Sequence, residues 1–265
     1  MGVLRKRSPW EREFQEVWRK EQWFLRRYSE KHETVIDRKI AEIAPEKLME
    51  TLHGAFEKAF EVVFEKGTGF IRKVGRQEAR RAGYLEREQA ADLVEDRSNL
   101  KAFSRSAGRA GAGNVAVSGV AGIGMGLFGI SLPDIPLFTA MTLKSVYETA
   151  ESYGFSCEGP EEQMYALRVI EAALSCGEEL RTRNRALDLY AQTGVWPEET
   201  ERKQQIKATS RRMSEAVLQG KALQNIPVIG AAGGAGDAVC LSRVQKYAAI
   251  KYQKRFLIRR RLREE

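Results

Sequence analysis

Between Ala110 and Pro133 the chain has no ionisable side chain, although 30% of its 265 residues are charged. Through these 24 residues glycine or alanine recurs every three or four positions. Such a stretch can cradle a phosphate, pack tightly inside a helical core, or enter an apolar solvent. The phosphate reading rests on Gly124-Met125-Gly126-Leu127-Phe128-Gly129, which satisfies G-x-G-x-x-G. That chemistry needs a strand before the glycines and a helix opening at the third. Here the third glycine leads into Pro133 and Pro136, which stop a helix. No Gly-Lys-Ser/Thr phosphate loop occurs anywhere, so nucleotide binding is rejected and no cofactor is expected.

Packing and membrane remain. Gly108, Gly111, Val115, Gly119, Gly122 and Gly126 would give a helix a smooth face that a second backbone can approach closely. Each glycine costs a helix roughly 1 kcal/mol relative to alanine, so close contact or an apolar solvent must offset them. The natural packing partner for Gly119, Gly122 and Gly126 is the second small-residue run, which contains Gly230 and Gly234. A bilayer-spanning helix needs about 20 apolar residues. The run is long enough, yet rich in glycine and alanine and interrupted by Asn114 and Ser118. Its end differs: Leu127, Phe128, Ile130, Leu132, Ile135, Leu137 and Phe138 crowd the Pro133–Pro136 turn. Buried core, an interfacial hairpin tip and a full span all stay open.

The net charge of +8 is concentrated at one end. From Cys240 onward there are nine Lys or Arg against Glu264 and Glu265. Lys254, Arg255, Arg259, Arg260 and Arg261, with Phe256, Leu257 and Ile258 among them, read as a contact for something acidic, or as a solvated helix end.

Elsewhere helical spacing dominates and no period of two persists. Pro9 opens a helix carrying Trp10, Phe14, Val17, Phe24 and Tyr28 as a core stripe. Pro45 opens another with Leu48, Leu52, Phe56, Phe60 and Val63. Residues 72–105 read as one or two surface helices broken at Gly83. Amphipathic helices are expected up to Gly154 and from Pro160, a polar one from Glu178 to about Gln192, and a long one from Pro197 to Gly220. The fold class is all-α: a single multi-helix bundle with two central glycine/alanine-rich helices and outer amphipathic ones. Residues 1–39 form an N-terminal helical extension and 40–265 the main domain.

No apolar signal region follows the N-terminus, and Lys6 stands where a myristoylation pattern wants Ser or Thr. Three scattered cysteines, Cys157, Cys176 and Cys240, fit a reducing compartment better than a disulfide framework or a zinc site. His32 and His53 lie in charged helical sequence, away from any metal or base pattern.

Three blocks, "GISLPDIPLFTAMTLKSVYETAESYGF", "PEEQMYALRVIEAAL" and "IPVIGAAGGAGDAVCLSRVQKYAAIKYQKRFL", resemble the EcsC family over about residues 40 to 260. The family is named after a bacterial protein encoded beside an ABC transporter. The resemblance implies a largely helical, membrane-associated accessory protein, and it supplies no catalytic residues. Asp134 and Asp237 are the sole acids in their apolar surroundings. Each reads as a cap or an ion-pair partner, or the two converge as a polar site.

The leading expectation is therefore a non-enzymatic protein at the inner face of the cytoplasmic membrane. It would bind anionic lipid or a membrane protein, by resemblance an ABC transporter, through the basic end and the apolar tip. The alternative is a lipid-binding protein or a hydrolase acting on lipid-like substrates in an interhelical groove. Against a hydrolase, no G-x-S-x-G elbow and no metal-ligand spacing occur. Nucleic-acid binding would need a recognition motif that the basic helix lacks.

Overall fold

Pro9 opens the first helix as the sequence suggests, and Ser8 caps it. Its hydroxyl accepts from Glu11 N at 3.1 Å while Glu11 Oε2 accepts from Ser8 N at 2.8 Å, a complete capping box ahead of Pro9. The computed structural model describes residues 7–29, 46–65, 77–110, 135–224 and 235–264, which form nine α-helices and no strand. They are α1 (Pro9–Arg27), α2 (Glu46–Glu65), α3 (Gln77–Leu93) and α4 (97–110), then α5 (Ile135–Ser152), α6 (Pro160–Leu174), α7 (Gly177–Thr193), α8 (Arg202–Gln224) and α9 (Ala235–Glu264). The chain is all-α, as its periodicity indicates. The two glycine-rich runs at 111–134 and 225–234 lie outside the described residues, and with them Gly119, Gly122, Gly126, Gly230 and Gly234.

Two boundaries differ from expectation. Gly83 sits inside α3, whose other residues are mostly strong helix formers. The break comes at 94–96, where Asp96 Oδ1 accepts from Asn99 N at 2.7 Å and caps α4. Pro197 does not open a helix. Gly194, at φ 71°, closes α7, and Trp196 then stacks on Tyr190 with ring centroids 4.0 Å apart. The Arg168 guanidinium covers the Trp196 ring at 4.1 Å, which pins the segment so that α8 begins only at Arg202.

The thirty-residue α9 is the spine, about 45 Å long at 1.5 Å per residue. It packs on α1, α5, α6, α7 and α8. Being surrounded, it shows no single apolar stripe: Val244, Tyr247, Tyr252 and Phe256 are buried on different sides. Helix α5 is sunk in the core instead of amphipathic. Its Thr139, Thr142, Thr149 and Ser152 hydroxyls are buried, and each donates to the carbonyl four residues earlier. Gly154 ends this part at φ 74°, where a Cβ would collide with the Tyr84 ring.

Candidate functional site

Much of the basic end of the chain is turned inward, although Lys246, Arg261 and Arg263 are exposed. Lys251, 1% exposed, donates to Glu21 Oε1 at 2.8 Å and to Asn184 Oδ1 at 3.1 Å. Lys254 is also buried and bridges Glu21 and Asp188, the latter at 2.9 Å. Burial works against the Lys254 charge, but Glu21 and Asp188 outweigh it and hold the group above the ordinary lysine pKa. The result is a closed group of two cations and two carboxylates that ties α1 and α7 to α9.

Arg255 meets Glu162 Oε2 at 2.8 Å and lies over the Tyr165 and Phe155 rings at 4.2 and 4.3 Å. Arg259 donates to Tyr153 O at 2.9 Å and Tyr84 Oη at 3.1 Å. Arg260 donates to Asp92 and to Ala91 O, both at 2.8 Å. Arg261 stays at the surface near the Trp10 ring. The expectation of Lys254, Arg255, Arg259 and Arg260 as a lipid contact meets a physical obstacle. All four bond to groups of the same chain, and withdrawing Lys254 and Arg255 would take a cation from the buried carboxylates of Glu21 and Glu162.

Of the expected apolar tip, Ile135 and Phe138 belong to the core, with Phe138 edge-on to Phe56 at 6.3 Å. Leu137 is 45% exposed on the opposite side of α5. Phe128, Ile130, Leu132 and Asp134 lie outside the described residues. Asp237 falls in the first turn of α9, but its side chain is likewise outside the description, so a two-aspartate site stays an expectation. Among the described residues no group of His, Cys, Asp or Glu is placed to hold a metal. None of their helices is long and apolar enough to cross a membrane.

The outer face of α1 is the most distinctive surface. Arg12, Arg19, Lys20, Arg26 and Arg27 are exposed on it. Trp18 and Trp23 are each 50% exposed, and the Arg27 guanidinium lies 5.6 Å from the Trp23 ring. All four acids of the helix are engaged. Glu11 closes the capping box, Glu13 is buried against Arg97 Nε at 2.9 Å, and Glu21 holds the two lysines. Glu16 is shared by Arg97, Lys20 and Lys101, and these cations keep its pKa down despite partial burial. The Trp10 indole N–H donates to Leu257 O at 2.8 Å, fixing the start of α1 on the end of α9. The fold has thus sorted α1 by charge: Glu13 and Glu21 lie inward, Glu11 and Glu16 are engaged by the cap and by neighbouring cations, and five cations with Trp18 and Trp23 face outward.

Sequence reasoning took the aromatics of α1 as core and passed over Trp18 and Trp23. The signal was available. At 100° per residue, Trp23 lies roughly opposite the centre of the Trp10–Phe14–Val17–Phe24–Tyr28 stripe, and Trp18 on its flank.

A family model described as the EcsC protein family matches residues 3–257, nearly the whole chain and including α1. The chain belongs to the EcsC protein family. No curated protein and no solved structure matches it. In this EcsC protein the thiols offer no obvious nucleophile. Cys157 is buried, with its pKa pushed well above the ordinary value by burial, and Cys240 is buried as well. Cys176, half-buried, accepts from Arg243 at 3.5 Å. His53 is pushed below its ordinary pKa by burial, and its Nε2 has no hydrogen-bond partner among the described residues.

One carboxyl is strongly perturbed. Burial pushes Glu151 up to about 7; Arg80 opposes this, while Glu148 and Glu158 add to it. Because the folded-state pKa is raised, the proton is held more tightly in the folded chain. The associated stability is complete below pH 4.5 and lost as the pH rises through about 7. Glu151→Gln is expected to be more stable than wild type at pH 8 by about 2–3 kcal/mol, with the gain gone near pH 4. Urea unfolding at the two pH values checks this; an equal difference at both would refute it.

Proposed function

We propose that this EcsC protein is a non-enzymatic accessory protein that sits on the inner face of the cytoplasmic membrane, with the outer face of α1 against anionic lipid. The observation that carries the reading is the sorting of that helix: five exposed cations and two half-exposed tryptophans, with every acid engaged. Each Lys or Arg near an anionic surface contributes about 1 kcal/mol. Tryptophan favours the headgroup level, where its ring is half apolar and its N–H stays hydrated. Stable attachment generally needs a second anchor. In this reading the uncharged sequence between Ala110 and Pro133 supplies it, alone or with a membrane-protein partner such as an ABC transporter.

Co-sedimentation with vesicles is the test, using phosphatidylcholine with and without phosphatidylglycerol. Binding is expected with phosphatidylglycerol at low salt and should fall steeply toward 1 M salt, where the Debye length is about 3 Å. Equal recovery with neutral and anionic vesicles, or no binding at low salt, would overturn the assignment.

A further inference from the structure

Beside the proposed membrane face, α1, α4 and α9 enclose an open groove of about 500 Å³. That is within the roughly 300–1,000 Å³ of small-molecule sites. Its floor is apolar: Phe24, Tyr153 and Ile250 are buried there beside Ala249. Its rim carries Arg19, Lys20 and Lys246, with the half-exposed Trp23 at the edge. Glu16 is the single acid of the lining, and it is already held by Arg97, Lys20 and Lys101. The rim is therefore net positive. Arg19 and Lys246 form no ion pair with any described residue. Gly108 of α4 lines the same groove, and a Cβ added there would meet nothing within 4 Å. An apolar trough with a cationic lip, opening beside a cationic tryptophan-bearing face, matches one chemistry on both counts: an amphiphile with an acyl chain and an anionic head.

We propose that this groove binds a single anionic phospholipid, its acyl chain along Phe24, Tyr153 and Ile250 and its phosphate at Arg19, Lys20 and Lys246. The inference rests on the membrane reading above and names the ligand of that surface. Trp23 lies at the mouth, so its fluorescence reports occupancy.

The probe is dioctanoyl phosphatidylglycerol below its micelle concentration, titrated into the full chain with mass spectrometry of the intact complex. Saturable one-to-one binding is expected, with a blue shift of tryptophan emission. Gly108→Phe fills the trough from a position with open space, so its melting temperature should not fall below wild type and its vesicle co-sedimentation should match. Its one-to-one lipid binding should weaken at least tenfold. Lys246→Gln should weaken the phosphatidylglycerol complex about fivefold, and dioctanoyl phosphatidylcholine, whose choline offsets its phosphate charge, by less.

Unchanged lipid affinity in a folded Gly108→Phe would overturn the proposal. So would equal affinity for the two lipids, or competition by inorganic phosphate at matched concentration, which would mark a plain anion site. The two readings fail separately. Vesicle binding without one-to-one lipid binding removes the groove ligand alone. One-to-one binding without vesicle binding removes the membrane face and leaves a lipid-binding groove.

Discussion

Glu21→Gln is expected to destabilise the fold by about 3–5 kcal/mol, the cost of leaving a buried charge without its partner. Glu21 is 1% exposed and joins Lys251 and Lys254, which lie 230 and 233 residues further along the chain. Removing its charge leaves two buried ammonium groups with Asp188 as their one carboxylate, and Asp188 is itself partly open to solvent. Because Glu21 lies on α1, the same change should loosen that helix from α9. Urea unfolding gives the magnitude. Amide exchange gives the location, with protection of α1 falling before that of α6. A second variant separates the charge effect from poor packing. Glu21→Gln combined with Lys254→Gln should recover part of the loss, because one unpaired cation is removed with it. A loss below about 1 kcal/mol for Glu21→Gln would mean that the lysines are satisfied without it.

Replacing Arg19, Arg26 and Arg27 together by glutamine is expected to weaken partition onto phosphatidylglycerol vesicles about 100-fold. Three cations at about 1 kcal/mol each give that factor. The fold should be unaffected, because all three side chains are exposed. The matched control is Lys203→Gln with Lys207→Gln, two exposed cations on α8, away from α1. That pair should change binding little. An equal loss per charge in the two sets would show that net charge, and not the α1 face, governs the attraction. Truncating the chain after Gln253 is a poorer experiment than its sequence suggests. It would remove Phe256 and Leu257 from the core and Lys254 and Arg255 from their carboxylates, so lost binding would only report unfolding.

Much of the fold was legible in the sequence because helix signals are local. Pro9 marked the start of α1, to which the structure adds the Ser8–Glu11 capping box, and the expected end near Gln192 falls two residues before Gly194, which stops α7 through one backbone angle. The stripes of α1 and α2 placed Val17, Phe24, Leu52, Phe56 and Phe60 correctly in the core, whereas Leu48, in the first turn of α2, is 41% exposed. Errors arose where a local rule met a distant partner. Pro197 carries a start signal, but Tyr190 and Arg168 hold Trp196 in a non-helical conformation. Helix α5 looks amphipathic because it contains threonine and serine, yet the hydroxyls of Thr139, Thr142, Thr149 and Ser152 are satisfied by their own helix and cross the core at little cost.

The candidate site shows the same division more sharply. The sequence by itself determined an all-α chain, helix starts and stops, an uncharged glycine-rich run and a surplus of positive charge at the C-terminal end. Only the tertiary structure decided which of those charges face water. Lys251, Lys254 and Arg255 can enter the interior because Glu21, Asp188 and Glu162 arrive from other helices to meet them. With its acids drawn inward by Arg97 and the two lysines, α1 is left with cations and tryptophans on its outer surface. Charge belongs to a residue and can be counted along the chain. Its exposure depends on counter-ions hundreds of residues away, because burying an ion is tolerable only where an opposite charge and hydrogen bonds replace the water it loses.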